Sequence, residues 1–326
     1  MAVLDISNLC IEFPTRRGVL SAVEDLTLSI EAGEILGIVG ESGAGKSLTG
    51  NAIVGLLEPP GHVTEGVILL NGRDITHLPE SEMRKIRGAQ IGVIFQDPLT
   101  SLDPLYTIGQ QLTQTILTHK KMSNAQAKAW AIELLNEVGI PAPERRFDAF
   151  PHEFSGGMRQ RVVIALALCC DPCLIIADEP TTALDVSVQA QIIALLKRLS
   201  REKGVATMLV THDMGVIAEA ADRVAVIYSG RLAEIGDVRS VIDAPKHPYT
   251  KGLMDSIPQI GQNLKILPNI VGAMPRLDAR PDGCAFNPRC SKAKFICHQQ
   301  AAPLIEAGSV GQRAACWVYE GGEKYV

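Results

Sequence analysis

Hydrophobic and polar positions alternate with a period of two through parts of the first forty residues, as in "LTLSI", where Leu26, Leu28 and Ile30 share one side. The run "EILGIVG" is instead continuously apolar and ends in glycine, the pattern of a short buried strand. Residues 3–39 are therefore predicted to be rich in strand. A helix is predicted from Ser47 to about Leu57, stopped by "EPPG". "GVILLNGRDI" sets Asn71-Gly72 between apolar stretches, a hairpin pattern. Residues from about 100 to 165 are mostly helical in pattern; in "NAQAKAWAIELLNEVGI", Trp130, Leu134 and Val138 fall on one face. Two short apolar runs follow, "CLIIADEP" and "ATMLVTHD", each ending in polar residues suited to catalysis, with a helix from about Val188 to Glu202 between them. Strands alternating with helices predict an α/β fold, a mainly parallel sheet with helices on both sides. "VAVIYSGRLAEIGD" predicts a further hairpin turning at Ser229-Gly230. From about residue 245 the pattern becomes irregular while Pro, Gly and Cys rise, which marks a small appended domain.

Composition narrows the class. The 326 residues suffice for one large domain or two ordinary ones, and 46% hydrophobic residues can bury a substantial core. A formal charge of −5 and a pI near 5.8 argue against nucleic acid as the main partner. The longest apolar run, "VVIALALCC" from Val162 to Cys170, suits a core helix and is too short to span a membrane. "MAVLDISNLCIEF" lacks the basic start and apolar run of a signal peptide, so a soluble, cytosolic chain is expected. Eight cysteines in that compartment are expected as thiols or metal ligands.

The chemistry concentrates in "GESGAGKS", Gly40 to Ser47, which follows a predicted strand, opens a predicted helix and fits G-x-x-x-x-G-K-[ST]. Gly40, Gly43 and Gly45 let backbone N–H groups converge on phosphate oxygens, and the helix N-terminus adds partial positive charge. Lys46 is expected to reach the β and γ phosphates of ATP and Ser47 to hold Mg²⁺; Glu41, Ser42, Ala44 and Leu48 complete the expected ATP contact. In "CLIIADEP", Asp178 and Glu179 emerge at a strand's C-terminal end, where open α/β sheets bind ligands. Asp178 is placed for the Mg²⁺ shell and Glu179 to accept a proton from attacking water. His212 ends the "LVTH" run in the same way and could contact the γ-phosphate.

"EFSGGMRQRV" is a helix start whose Ser155, Gly156 and Gly157 could bind an anion, although the chain already has one phosphate loop. Between a phosphate loop and "IIADEP", this stretch resembles the LSGGQ signature of ABC-transporter ATPases, with Phe154 and Met158 where Leu and Gln are usual. The resemblance covers residues 1 to about 240. It implies the ABC-type ATPase fold: a mainly parallel sheet core with an antiparallel β subdomain and a helical subdomain at about 97–165, all within residues 1–244. It also implies head-to-tail pairing with a second ATPase subunit, so that the signature covers the partner's ATP. "VIFQDP" resembles the Q-loop, with Gln96 contacting Mg²⁺ or the attacking water; "TTALD" resembles the D-loop, with Asp185 at the dimer interface; His212 is the family's switch histidine. By the same resemblance Phe13 is the residue expected to stack on adenine, with Leu20 competing for that role.

"IFQDPLTSLDP", "FPHEFSGGMRQRV", "IADEPTTALDV" and "HPYTKGL" resemble the dipeptide and oligopeptide importers of bacteria, in particular their D component. That resemblance implies two membrane-spanning permease subunits, an extracytoplasmic peptide-binding protein, and a place on the cytoplasmic face of the inner membrane. Nickel or another small solute is the alternative cargo, and a non-transport ABC ATPase acting on nucleic acid is the alternative class.

The extension, 245–326, carries Cys284, Cys290, Cys297 and Cys316 at C-x₅-C-x₆-C-x₁₈-C spacing. Structural zinc sites usually show C-x₂₋₄-C pairs, whereas wider gaps wrap a larger object and suit a four-iron, four-sulfur cluster. The resemblance implies the same cluster; zinc is the alternative, then free thiols or disulfides. Arg289 and Lys292 beside these cysteines are open between tuning a cluster and simple solvation. Cys169, Cys170 and Cys173, with Cys10, read as small buried apolar residues.

Overall fold

The apolar runs picked out in the sequence are strands in the computed structural model, which describes residues 2–182, 184–257 and 269–319. The chain divides into two units. The first comprises Met1–Leu4, Ile30–Ile35 and Leu70–Val210. Its strands Ile91–Ile94, Leu174–Asp178 and Ala206–Val210 pair in parallel, with Ile91 opposite Leu174 and Leu174 opposite Ala206. Every residue of Leu174–Asp178 except the last is buried, which explains the absence of alternation. Helices Ile108–His119, Asn124–Glu137, Gly156–Leu168 and Val186–Lys203 belong to the same unit. Two of them begin with capping boxes, Thr107 with Gln110 and Ser123 with Gln126, each satisfying otherwise orphaned N–H groups. Leu134 and Val138 are buried as their spacing predicts, while Trp130 is half-buried and donates from Nε1 to the Cys169 carbonyl at 2.9 Å.

The second unit comprises Asp5–Ser29, Leu36–Leu69 and Thr211–Val326. Strands Leu4–Thr15 and Gly18–Ile30 form a hairpin, and His62–Leu70 lies on the other side of Leu4–Thr15. Strand Ile35–Val39 pairs in parallel with Arg223–Tyr228, Ile38 opposite Ala225. Arg231–Asp237 returns antiparallel through Ser229 and Gly230, both at positive φ. The extension is not wholly irregular. Its strand Arg313–Ala314 pairs with Arg231–Asp237, Ala314 opposite Glu234, and Ile305–Glu306 pairs outside it. Two-residue strands carry no periodicity, so they were invisible to the pattern. The helix expected over 47–57 is Lys46–Ile53, because Gly55 at φ 63 takes the left-handed turn that ends it. Among the described residues, no helix is long and apolar enough to cross a membrane. Residues 258–268 and 320–326 of the extension lie outside the described residues.

Candidate functional site

In the second unit the phosphate loop turns from the buried strand Ile35–Val39 into helix Lys46–Ile53, whose N-cap is Gly45 at φ 101. A Cβ on Gly40 would stand 2.2 Å from the Ile227 carbonyl oxygen, so that position needs glycine for packing as well as for the loop's path. Lys46 is 7% exposed and folds back, its Nζ donating to the carbonyls of Gly40 and Glu41 at 2.9 and 3.0 Å. Ala44 is buried, Leu48 half-buried, and Ser42, Gly43 and Ser47 are exposed. Exposed His212 follows strand Ala206–Val210 and buried Thr211. Phe13 is half-buried against Gly61, where an added Cβ would meet its ring at 2.4 Å. The ring atoms Cε1 and Cζ thus lie close against the loop that follows Pro60.

The first unit holds the carboxylates. Asp178 ends strand Leu174–Asp178 opposite Val210, while Glu179 leaves the strand at φ 47. Glu179 Oε2 accepts from Gln96 Nε2 at 2.8 Å and from Thr182 Oγ1 at 2.9 Å, and its N–H donates to the Val210 carbonyl at 2.8 Å. The structure therefore brings Gln96 and Glu179 into direct contact. Thr182 was missed, because a threonine three residues beyond a carboxylate reads as an ordinary turn residue. Ser155 caps helix Gly156–Leu168, accepting from the Met158 N–H at 3.4 Å, and Ser155 and Gly156 are exposed. Phe154 is 3% exposed and lies under the Arg146 guanidinium at 5.4 Å. Asp185 is the N-cap of Val186–Lys203, accepting from the Val188 N–H and from the hydroxyl and N–H of Ser187, which hold its carboxyl below the usual carboxylate range.

Cys284, Cys290, Cys297 and Cys316 line one cavity of the second unit, together with Asn287, Lys292 and Trp317. Cys297 Sγ accepts the Lys294 N–H at 3.4 Å. Asn287 braces the turn, its Nδ2 donating to the carbonyls of Cys284 and Cys297 at 2.8 and 3.3 Å. Burial pushes the Cys284 thiol up to about 11 and raises Cys290 and Cys316. None of the eight cysteines is joined in a disulfide. Among the described residues, no three of His, Cys, Asp and Glu are grouped to hold a single metal ion. Cys169 and Cys170 are buried as expected, whereas Cys10 and Cys173 are half-buried; the Asp25 N–H donates to Cys10 Sγ and Asn71 Nδ2 to Cys173 Sγ.

Comparison with known proteins settles the family. The model described as "ABC transporter" matches residues 23–182, and that described as "Oligopeptide/dipeptide transporter, C-terminal region" matches residues 233–297. The chain is 47% identical to the dipeptide transport ATP-binding protein DppD of Bacillus subtilis, over 98% of this chain and 95% of that protein. It belongs to the ATP-binding proteins of the peptide-import ABC transporters. The oligopeptide transport ATP-binding protein OppD of Haemophilus influenzae is 48% identical over 97% of both chains. Among solved structures, the dimeric post-hydrolysis ATP-binding cassette MJ0796 bound to ADP and Pi superposes with a TM-score of 0.65 at 31% identity, covering 72% of this chain and 99% of that one. Two residues of the signature stretch in this ABC protein have structural roles. Phe154 is a core residue, as a leucine there would be, and Ser155 still caps its helix.

Proposed function

We propose that this chain is the ATP-hydrolysing subunit of a bacterial importer of di- and oligopeptides, acting at the cytoplasmic face of the inner membrane. The observation that carries this is the full-length likeness to peptide-transport ATPases, which runs past the cassette into the extension. A second ATPase subunit, two membrane-spanning permease subunits and an extracytoplasmic peptide-binding protein complete the assembly in this reading. The ATPase domain is residues 1–244 and the extension 245–326. Lys46 exchanges the carbonyls of Gly40 and Glu41 for the β and γ phosphates, while Phe13 stacks on adenine. Water attacks the γ-phosphorus, the bond to the bridging oxygen of ADP breaks, and Glu179 accepts the water's proton. Gln96, already bonded to Glu179, orients that water, and His212 contacts the γ-phosphate. Ser47, Gln96 and Asp178 offer the hydroxyl, amide and carboxylate oxygens that suit Mg²⁺. Ser155, Gly156 and Gly157 cover the partner's ATP, with Asp185 at the interface.

The four late cysteines hold a four-iron, four-sulfur cluster in this reading. Four thiols on one cavity fit a ligand set of thiolates, and Cys297 Sγ receives the Lys294 N–H, a bond that stabilises a charged sulfur. A zinc ion needs its sulfurs to converge at about 2.3 Å from one point, whereas a cubane spreads four thiolates over four irons. The sequence spacing of these cysteines, wider than the C-x₂₋₄-C pairs of structural zinc sites, favours the cluster. Bound there, it serves as a cross-link for a small domain with few apolar residues.

Two measurements test these assignments. Cells whose only copy carries Glu179→Gln are expected to lose uptake of labelled dipeptide and keep that of nickel; the reverse would refute the peptide assignment. Protein purified without oxygen is expected to contain iron and acid-labile sulfide, lost on Cys290→Ser. Zinc, or no metal, would refute the cluster.

A further inference from the structure

Within the phosphate loop, Gly40 to Ser47, Glu41 is the one acidic residue. A loop built to gather phosphates opposes its own purpose by carrying a carboxylate one residue in, since that charge repels the anion the N–H groups and Lys46 attract. The structure places a counter-charge on it from far along the chain. Arg289 Nη1 donates to Glu41 Oε1 at 2.9 Å and to Oε2 at 3.2 Å. The Arg289 side chain is 7% exposed and that of Glu41 29%. The guanidinium is held by three more bonds: Nη1 to Tyr228 Oη at 3.2 Å, Nε to the Val271 carbonyl at 3.1 Å and Nη2 to the Ile270 carbonyl at 3.3 Å. The Glu41 N–H donates to Tyr249 Oη at 2.9 Å, so backbone and side chain of one loop residue are both fastened. Met274 Cε lies 3.5 Å from where a Cβ on Gly43 would sit.

We propose that Arg289 is a positioning residue for nucleotide: by neutralising and holding Glu41 it keeps the phosphate loop receptive, and it makes ATP affinity depend on the folded, cysteine-bearing extension. Arg289 immediately precedes Cys290 on one turn, where the Arg289 N–H donates to the Phe286 carbonyl at 3.0 Å and the Cys290 N–H to the Asn287 carbonyl at 3.3 Å. The turn that presents the thiol therefore also presents the guanidinium. When that turn is disordered, Glu41 is left as an uncompensated charge beside the phosphates. This inference rests on the reading of Gly40–Ser47 as the ATP loop.

A pair that merely staples the extension in place would look similar in the structure, so the test must separate charge from scaffolding. Binding of a fluorescent ATP analogue with Mg²⁺ is measured on the full chain for wild type, Arg289→Met, Arg289→Lys, Glu41→Gln and the two double variants. Metal content and thermal midpoint are recorded for each. Arg289→Met is expected to weaken binding by about tenfold and Arg289→Lys by about threefold or less, since lysine keeps the charge. In the Glu41→Gln background both effects should shrink to within about twofold, because no carboxylate remains to be compensated. Unchanged affinity in Arg289→Met overturns the proposal. So does an equal loss in the Glu41→Gln background, which would make the pair a staple only. If Arg289→Met does not fold, the Arg289→Lys arm decides alone: a tenfold loss despite the retained charge overturns the charge argument. Lys46→Ala distinguishes the two levels of inference. Normal ATP binding in that variant would refute the phosphate-loop reading itself, whereas a loss there beside normal Arg289 variants refutes only the role of Arg289.

Discussion

Glu179 shows how much a single residue can conceal in a sequence. "IADEP" makes the pair of carboxylates and their strand-end position legible, but not the backbone that separates them. Asp178 keeps strand geometry, whereas Glu179 sits at φ 47, a left-handed conformation that costs a non-glycine residue about 1–2 kcal/mol. Its neighbours over-determine that geometry: Gln96 and Thr182 hold the carboxylate, and the Val210 carbonyl holds the N–H. Strain kept in place by several bonds is characteristic of a functional position. Glu179→Gln preserves the side chain's shape and its acceptor oxygen while removing the basic one. Hydrolysis by the assembled complex is expected to fall by about 10²–10⁴-fold with ATP affinity retained. Turnover near wild type would remove Glu179 from proton transfer.

At the scale of elements, hydrophobic pattern located the strands and helices, and errors came where single residues decide an end or an approach. Gly55 ended the first helix before the proline pair reached by the sequence reading. Gly157 is the stronger case. In the sequence it is one of three residues suited to an anion, yet a Cβ there would stand 2.6 Å from Val188 Cγ1 on helix Val186–Lys203. The glycine is thus also the point of close approach between two helices, a fact that needs both helices in place to be seen. Gly157→Ala is expected to cost about 1–3 kcal/mol by overpacking, read as a lower urea midpoint. Val188→Ala in the same chain should recover part of the loss. An unchanged midpoint with hydrolysis abolished would assign Gly157 to the anion alone.

For the molecule as a whole, the least legible feature is how the extension is fastened, because its contacts come from residues about 80 apart. Glu234 looks like the polar phase of an edge strand in "GRLAEIGD", but it is 0% exposed. Four bonds meet its carboxylate: the Lys246 N–H reaches both oxygens at 2.9 and 3.1 Å, the His247 N–H comes at 2.8 Å and Gln312 Nε2 at 2.8 Å. Gln312 also donates to the carbonyls of Ser240 and Ala244. Burial pushes His247 down to about 4, so a neutral imidazole stands beside this hub at neutral pH. The carboxylate is therefore compensated by hydrogen bonds from two amides and a glutamine rather than by an ion pair. An amide in its place would turn an NH₂ toward donors and leave at least one of them unmet. Glu234→Gln is expected to destabilise the chain by about 3 kcal/mol, with faster proteolysis after residue 245 and faster hydrogen exchange at Arg313 and Ala314. The loss should exceed that of Gln312→Ala, which removes one donor and leaves the carboxylate with two backbone partners. If both variants melt with the wild type, the extension is held by its cysteine site and strand pairing, and the buried glutamate is incidental.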